Sequence, residues 1–358
     1  MSAVTSPEVS RTVQVIIGVD THQDKHVAVA IDQQGVRLAE RHVPATSYGY
    51  EEMERWSRNL GEVRVFGVEG TGSYGAGLAR FLIGRGLSVV EVNRPDRSVR
   101  YRKGKSDPTD AEMAARAVLA GVADAIPKSG EGEAEMLRML KSTRDSAVKA
   151  RTQAVNQMKA LVVTAPAGLR ETLDGLSATA LAVRCKGFHP GRLENPTAAA
   201  KYALRSLACR YLQLDKETRE LQAELERLTQ MAAPALVSTF GVGPDTAASL
   251  LISAGSNPQR LRSEAAFASL CGVNPIPASS GKTNRHRLNR GGDRQANSAL
   301  YRIVLVRLRY DRRTKEYMQR RTEEGMSKAE VIRCLKRYVA REVFTALQDT
   351  VRLPSSVS

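Results

Sequence analysis

The sequence predicts an α/β domain, then a helical coiled-coil arm, then a mainly helical C-terminal domain. Three observations predict this. Strand-like segments come first, and helix and strand patterns alternate from there to residue 92. A seam with spacings of three and four runs from Leu204 to Leu228. Beyond residue 233 the pattern is helical and strongly basic. A length of 358 residues suits two or three domains, and the pattern divides them at 1–125, 126–232 and 233–358.

The elements follow in order. Residues 13–20 form an apolar strand ending in Asp20. Lys25 to Asp32 alternates and stops at Gln33-Gln34-Gly35, a hairpin signal, and Val36 to Val43 continues as a third strand. Thr46 or Ser47 can cap a helix carrying Met53, Trp56 and Leu60. Residues 63–69 form a fourth strand ending in Glu69. A glycine-rich turn, a helix through Leu78, Phe81, Leu82 and Ile83, and a fifth strand from Leu87 to Val92 come next. This is the order of a ribonuclease-H-like domain, a mixed sheet flanked by helices. Asp107-Pro108-Thr109-Asp110 opens a further helix that would bring its acids to the strand ends.

In the middle, Leu204, Leu207, Tyr211, Leu214, Leu221, Leu225 and Leu228 form a heptad seam broken only by Thr218. A weaker seam runs through Met136, Leu140, Thr143, Ala147, Ala150, Ala154 and Leu161. An antiparallel arm, a dimerising element and an ordinary helical bundle all fit these seams. Residues 164–197 between them have no clear period. In the third region, Gly241-Val242-Gly243-Pro244 resembles the turn of a helix-hairpin-helix, which can aim backbone N–H groups at a phosphate.

Charge narrows the function. The chain carries 54 Lys+Arg against 38 Asp+Glu, a net +16, and its pI is about 9.9. Such an excess points to nucleic acid before anionic membrane. From 281 to 321, 13 Lys/Arg face 3 acids. Lys282, Arg285, Arg287, Arg290 and Arg294 begin this strip, and Arg94, Arg97, Arg100, Arg102 and Lys103 form a second one. No apolar run is long enough to span a bilayer and no signal-peptide core is evident, so no membrane role is expected. The four cysteines are scattered without a CxxC pair, which gives no support to zinc or disulfides. A reducing cytoplasm is the expected location.

Against this basic background stand four acids, Asp20, Glu69, Asp107 and Asp110. They would repel a polyanion unless a divalent cation such as Mg²⁺ sat between them. Each also has a structural reading. Buried strand-end acids can accept backbone N–H bonds or meet an arginine. Asp107 resembles an N-cap followed by Pro108 at N1, with Asp110 at N3. Ser280, in Ser279-Ser280-Gly281-Lys282, is the candidate nucleophile, although serine before glycine is usually turn chemistry. Ser279 is its rival.

Gly18-Val19-Asp20, Val68-Glu69-Gly70-Thr71-Gly72-Ser73-Tyr74 and Lys105-Ser106-Asp107-Pro108-Thr109-Asp110-Ala111 resemble the DEDD signature of IS110-type insertion-sequence transposases. Asn93-Arg94-Pro95 is similar to the segment between that family's second and third acids. Gly241-Val242-Gly243, Phe267-Ala268-Ser269-Leu270-Cys271-Gly272-Val273-Asn274-Pro275 and Ser279-Ser280-Gly281-Lys282 resemble its C-terminal transposase domain. The resemblance spans nearly the whole chain and implies a RuvC-like N-terminal domain, a coiled-coil arm and a C-terminal domain with a catalytic serine. It further implies that Asp20, Glu69, Asp107 and Asp110 hold Mg²⁺ while Ser280 attacks DNA and forms a 5′-phosphoserine. The implied partners are donor and target DNA, a non-coding bridge RNA and further copies of the chain, as dimer or tetramer. An extension before Val13 and a long middle region depart from short members of the family.

Three rivals use part of this pattern. A RuvC-like Mg²⁺ nuclease or junction resolvase needs the acids but no serine. An actin-like kinase also begins with a strand, Asp20-Thr21 and a hairpin, but does not explain the basic segment. An architectural binder explains the charge but not the acids.

Overall fold

The computed structural model describes residues 13–92, 106–279 and 286–352. The chain divides into two compact units, Met1–Gly130 and Glu131–Ser358. No helix among the described residues is long and apolar enough to cross a membrane.

The first unit is built on a five-stranded mixed sheet. Its strands are β1 (Gln14–Thr21), β2 (Lys25–Ile31), β3 (Arg37–Pro44), β4 (Glu62–Glu69) and β5 (Val89–Val92), in the spatial order β3-β2-β1-β4-β5. The β1/β2 and β2/β3 pairs are antiparallel, and the β1/β4 and β4/β5 pairs are parallel. Side-chain alternation divides β1 between two cores. Val15, Ile17 and Val19 face α1 (Ser47–Leu60) and α2 (Ala76–Gly84), packing with Met53, Leu78 and Leu82. Ile16 faces α3 (Asp107–Leu119) with Val27, Val29 and Ala111. Thr46 caps α1, its side chain accepting from the Gly49 N–H.

The second unit is helical. Its arm pairs α4 (Gly132–Thr164) with a second long helix, which follows the short helices α5 (Ala167–Glu171) and α6 (Ala178–Lys186). That second helix is α7 (Pro196–Ala232). The two long helices run antiparallel: Arg144 bonds Gln222 at 3.0 and 2.8 Å, and Arg151 bonds Asp215 at 2.6 Å. The α7 seam is buried at Leu204, Tyr211, Thr218, Leu225 and Leu228. The α4 seam departs from expectation in its first half. Met136 and Thr143 are exposed, whereas Leu137 and Lys141 are buried. The reason lies in α4's partners there. Leu137 joins the core of the C-terminal helices with Leu225 and Leu228, and the Lys141 ammonium meets Asp245 at 2.7 Å.

That core also holds α8 (Pro234–Val237), α9 (Pro244–Ala254), α10 (Glu264–Leu270), α11 (Arg294–Tyr310), α12 (Arg312–Glu323) and α13 (Lys328–Arg352). Its fully buried residues include Phe267, Ile303 and Val343. A small antiparallel pair, β6 (Pro275–Pro277) and β7 (His286–Leu288), stands beside α10 and α11 in the sequence.

Candidate metal centre and serine hairpin

Two strands end in the same motif, Gly18-Val19-Asp20 on β1 and Gly67-Val68-Glu69 on β4. Their parallel register aligns Gly18 with Gly67 and Val19 with Val68, so the acids lie side by side one residue further on. The Thr21 hydroxyl ties the two ends together by donating to the Glu69 carbonyl at 2.8 Å.

The glycines do the positioning. Each lies two residues before its acid, on the sheet face covered by α3. A Cβ on Gly18 would lie 2.0 Å from the Ala111 carbonyl oxygen and 2.4 Å from the Ala115 nitrogen. One on Gly67 would meet Val118 Cγ2 at 2.6 Å and the Ala114 oxygen at 3.2 Å. The helix therefore rests on bare backbone. Ala111, Ala114 and Ala115 are the buried small residues that allow this approach. The first turn of α3 arrives at the strand ends carrying Asp107 and Asp110.

The expected N-cap at Asp107 is corrected. Ser106 is the cap, its side chain accepting from the Thr109 N–H at 3.4 Å. Asp107 thus stands inside the first turn, with Pro108 after it and Asp110 one turn on, and neither acid is needed as the cap.

Asp20, His22 and Asp107 each present a ligand atom, and these atoms all lie within 4.8 Å of one another. His22 Nε2 is 3.2 Å from Asp20 Oδ2 and 3.4 Å from Asp107 Oδ1. Its Nε2 atom is shielded from solvent, although the ring as a whole is 41% exposed. Lys25 Nζ is 3.2 Å from Asp107 Oδ2. Glu69 and Asp110 stand outside this ligand-distance group. Asp110 is nevertheless buried and close enough to act electrostatically on Asp20.

The electrostatics fit a cation. Burial pushes the Asp20 carboxyl up; His22 opposes this, while the charges of Asp110 and Asp107 push it further up. Burial also raises Asp107, but the hydrogen bond from Lys25 and the charges of His22 and Lys25 outweigh it and hold that carboxyl below its ordinary value. Two carboxylates with a nitrogen donor form a set that suits a divalent ion.

The serine candidates lie between β6 and β7. Ser279 is described, whereas Ser280, Lys282 and Arg285 lie outside the described residues, as do Arg94, Arg97, Arg100, Arg102 and Lys103. Arg287, Arg290 and Arg294 are exposed. The base of this hairpin is locked by asparagines. Asn289 donates to the Ser269 carbonyl at 3.2 Å and to Asn274 at 2.7 Å. Asn297 donates to the Cys271 carbonyl at 2.8 Å and is itself held by Lys336 at 2.9 Å. A Cβ on Gly292 would meet the Gly272 nitrogen at 2.2 Å, so the two segments touch backbone to backbone. The nearby Cys271 thiol is pushed up to about 12, by burial first and the Asp293 charge second, and is no nucleophile at neutral pH.

Sequence reasoning passed over His22 and Lys25. His22 lies just past the end of β1, in the turn that leads to β2, where no local pattern marks it.

Residues 17–165 match the IS110-type DEDD family model, described as a transposase. Residues 233–319 match the family described as transposase IS116/IS110/IS902. A Streptomyces coelicolor protein, described as the insertion element IS110 uncharacterized 43.6 kDa protein, is 27% identical over 168 residues. That match takes in 45% of this chain but only 41% of the relative's own length.

Proposed function

The chain belongs to the IS110-type insertion-sequence transposases, and on that premise we propose that it cuts and rejoins DNA strands with an acidic metal site and a serine nucleophile. In this reading the N-terminal region, 1–125, is RuvC-like, 126–232 is the arm, and 233–358 carries the serine. Asp20, Glu69, Asp107 and Asp110 hold the metal, taken as Mg²⁺. When bound, the ion polarises the scissile phosphate and stabilises charge on its oxygens.

Ser280 Oγ attacks the phosphorus. One Ser–O–P bond forms, the bond from phosphorus to the 3′-oxygen breaks, and the serine proton ends on the departing 3′-hydroxyl. The products are a 5′-phosphoserine and a 3′-OH end. A 3′-OH from another strand reverses the step, restores the serine and needs no external energy source. Arg287, Arg290 and Arg294, with Lys282 and Arg285, neutralise phosphates of the DNA and of a guiding bridge RNA. The second basic strip, Arg94, Arg97, Arg100, Arg102 and Lys103, binds further phosphates. The working form is a homo-oligomer, a dimer or tetramer, acting in the cytoplasm.

The observation that carries the reading is the meeting of Asp20 and Asp107. They come from a strand end and a helix start and lie within ligand distance in a protein of net charge +16. A structural role for either acid alone does not call for that meeting. The test replaces each acid by its amide and measures strand transfer and DNA binding together. Transfer should vanish in all four variants while most of the binding remains. Retained transfer in folded Asp20→Asn would overturn the metal site. Hydrolysed 5′-phosphate ends in place of rejoined strands would favour the resolvase-like nuclease.

A further inference from the structure

We infer that His22 is a metal ligand, which tunes the centre toward first-row transition ions such as Mn²⁺. This rests on the proposed acidic site and deepens it. The four-acid set is purely oxygen, the donor type Mg²⁺ takes. Around the strand ends, however, the donors gathered at ligand distance are Asp20, Asp107 and an imidazole nitrogen. Neighbouring donors around an octahedral ion with bonds of about 2.1 Å stand about 3 Å apart. His22 Nε2 lies 3.2 Å from one carboxylate oxygen and 3.4 Å from the other. The Nε2 atom itself is shielded from solvent, although the ring as a whole is 41% exposed. A shielded nitrogen at this spacing from two carboxylates is placed to share an ion with them.

The chemistry follows from donor type. Mg²⁺ keeps its waters and gains little from imidazole, whereas first-row divalent ions accept nitrogen with oxygen. Mn²⁺ takes the same carboxylates as Mg²⁺ and is paramagnetic, which makes it the probe. His26, four residues on, has a different setting. It is fully buried and stacks on Tyr50, with ring centroids 5.7 Å apart.

A competing reading treats His22 as a countercharge that fills the acidic gap until a metal displaces it. The two readings predict opposite signs. If His22 is a ligand, removing it weakens Mn²⁺ binding. If it is a countercharge, removing it strengthens binding of both ions.

The experiment is Mn²⁺ and Mg²⁺ titration of the full chain with paramagnetic resonance of bound Mn²⁺, in wild type, His22→Ala and Asp20→Asn. We expect a nitrogen coupling in the wild type that is lost in His22→Ala. Mn²⁺ affinity should fall by about tenfold or more, with Mg²⁺ affinity nearly unchanged. Wild-type protein carrying ¹⁵N-histidine reports the same coupling without a substitution, should His22→Ala fail to fold. Bound Mn²⁺ without nitrogen coupling overturns the inference, as does equal or tighter binding by His22→Ala. Either result leaves the acidic site standing if Asp20→Asn abolishes binding. A folded wild type that binds neither ion overturns both readings.

Discussion

Gly18→Ala is the smallest change that tests how the acids are brought together. The new Cβ would stand 2.0 Å from the Ala111 carbonyl oxygen, 2.4 Å from the Ala115 nitrogen and 2.9 Å from its Cβ. The first two are backbone atoms, so no side chain can rotate away. Ordinary contact begins at 3.4 Å, and α3 must retreat by about 1.4 Å at that point. Overpacking of this kind costs about 1–3 kcal/mol. The larger effect falls on the site, because the same helix carries Asp107 and Asp110. A misplacement of about 1 Å can cost on the order of a hundredfold in rate. Gly67→Ala should be milder, since its closest clash at 2.6 Å is with the Val118 side chain, which can give. Gly72→Ala, in the loop just after Glu69, meets nothing within 4 Å and is the control. The assay is thermal unfolding together with divalent-metal affinity and strand cleavage. The expected order of damage is Gly18→Ala, then Gly67→Ala, with Gly72→Ala close to wild type. Wild-type metal affinity in folded Gly18→Ala would refute the argument that bare backbone seats the helix.

Other outcomes follow from charge and packing. Asp245 is partly raised by burial, but Lys141, Arg302 and Arg144 outweigh this and bring its carboxyl down from 3.8 to about 2. A depressed acid stabilises the fold above its unfolded pKa, so this contribution of ~2 kcal/mol is full above about pH 5. It is lost as pH falls through 3.8 toward 2, and Asp245→Asn should flatten that part of the acid-unfolding curve. Leu225 is fully buried between the arm and the C-terminal helices. Leu225→Ala should therefore cost about 2–5 kcal/mol in denaturant unfolding, and an unchanged midpoint would show that the seam is not packed. Replacing exposed Arg287, Arg290 and Arg294 by Ala should weaken DNA binding and lower the salt slope by about 0.9 for each phosphate no longer neutralised. An unchanged slope would remove these arginines from the interface.

Strands β1 to β5 were legible from strong local patterns, whereas β6 and β7 arise in a region read as helical. β1 and β4 are apolar runs ending in an acid, and the Gln33-Gln34-Gly35 turn marks the hairpin, although β2 is buried on both faces from His26 to Ile31 rather than alternating. The α7 seam was legible in part: Leu204, Tyr211, Leu225 and Leu228 are buried, but Leu207, Leu214 and Leu221 are half-buried, while Ala208, Asp215 and Thr218 take buried positions. The first half of α4 was not. Met136 reads as a better core residue than Lys141, but Lys141 is buried against Asp245, 104 residues away. Nothing local announces such a long-range ion pair. The cap of α3 was misread by one position because Ser106 and Asp107 are both good N-cap residues, and only backbone geometry separates them. His22 was passed over because a single histidine in a hairpin turn carries no motif. Its value comes from α3, which brings Asp107 to within 3.4 Å of it.

The central claim is that a serine, assisted by the acidic site, carries the cut strand. Mass spectrometry of the protein trapped on a nicked DNA substrate with a divalent metal tests it most directly. A 5′-phosphoryl adduct on Ser280 is expected, absent in Ser280→Ala and in Asp20→Asn. An adduct on Ser279, or free 5′-phosphate ends with no adduct, would contradict it.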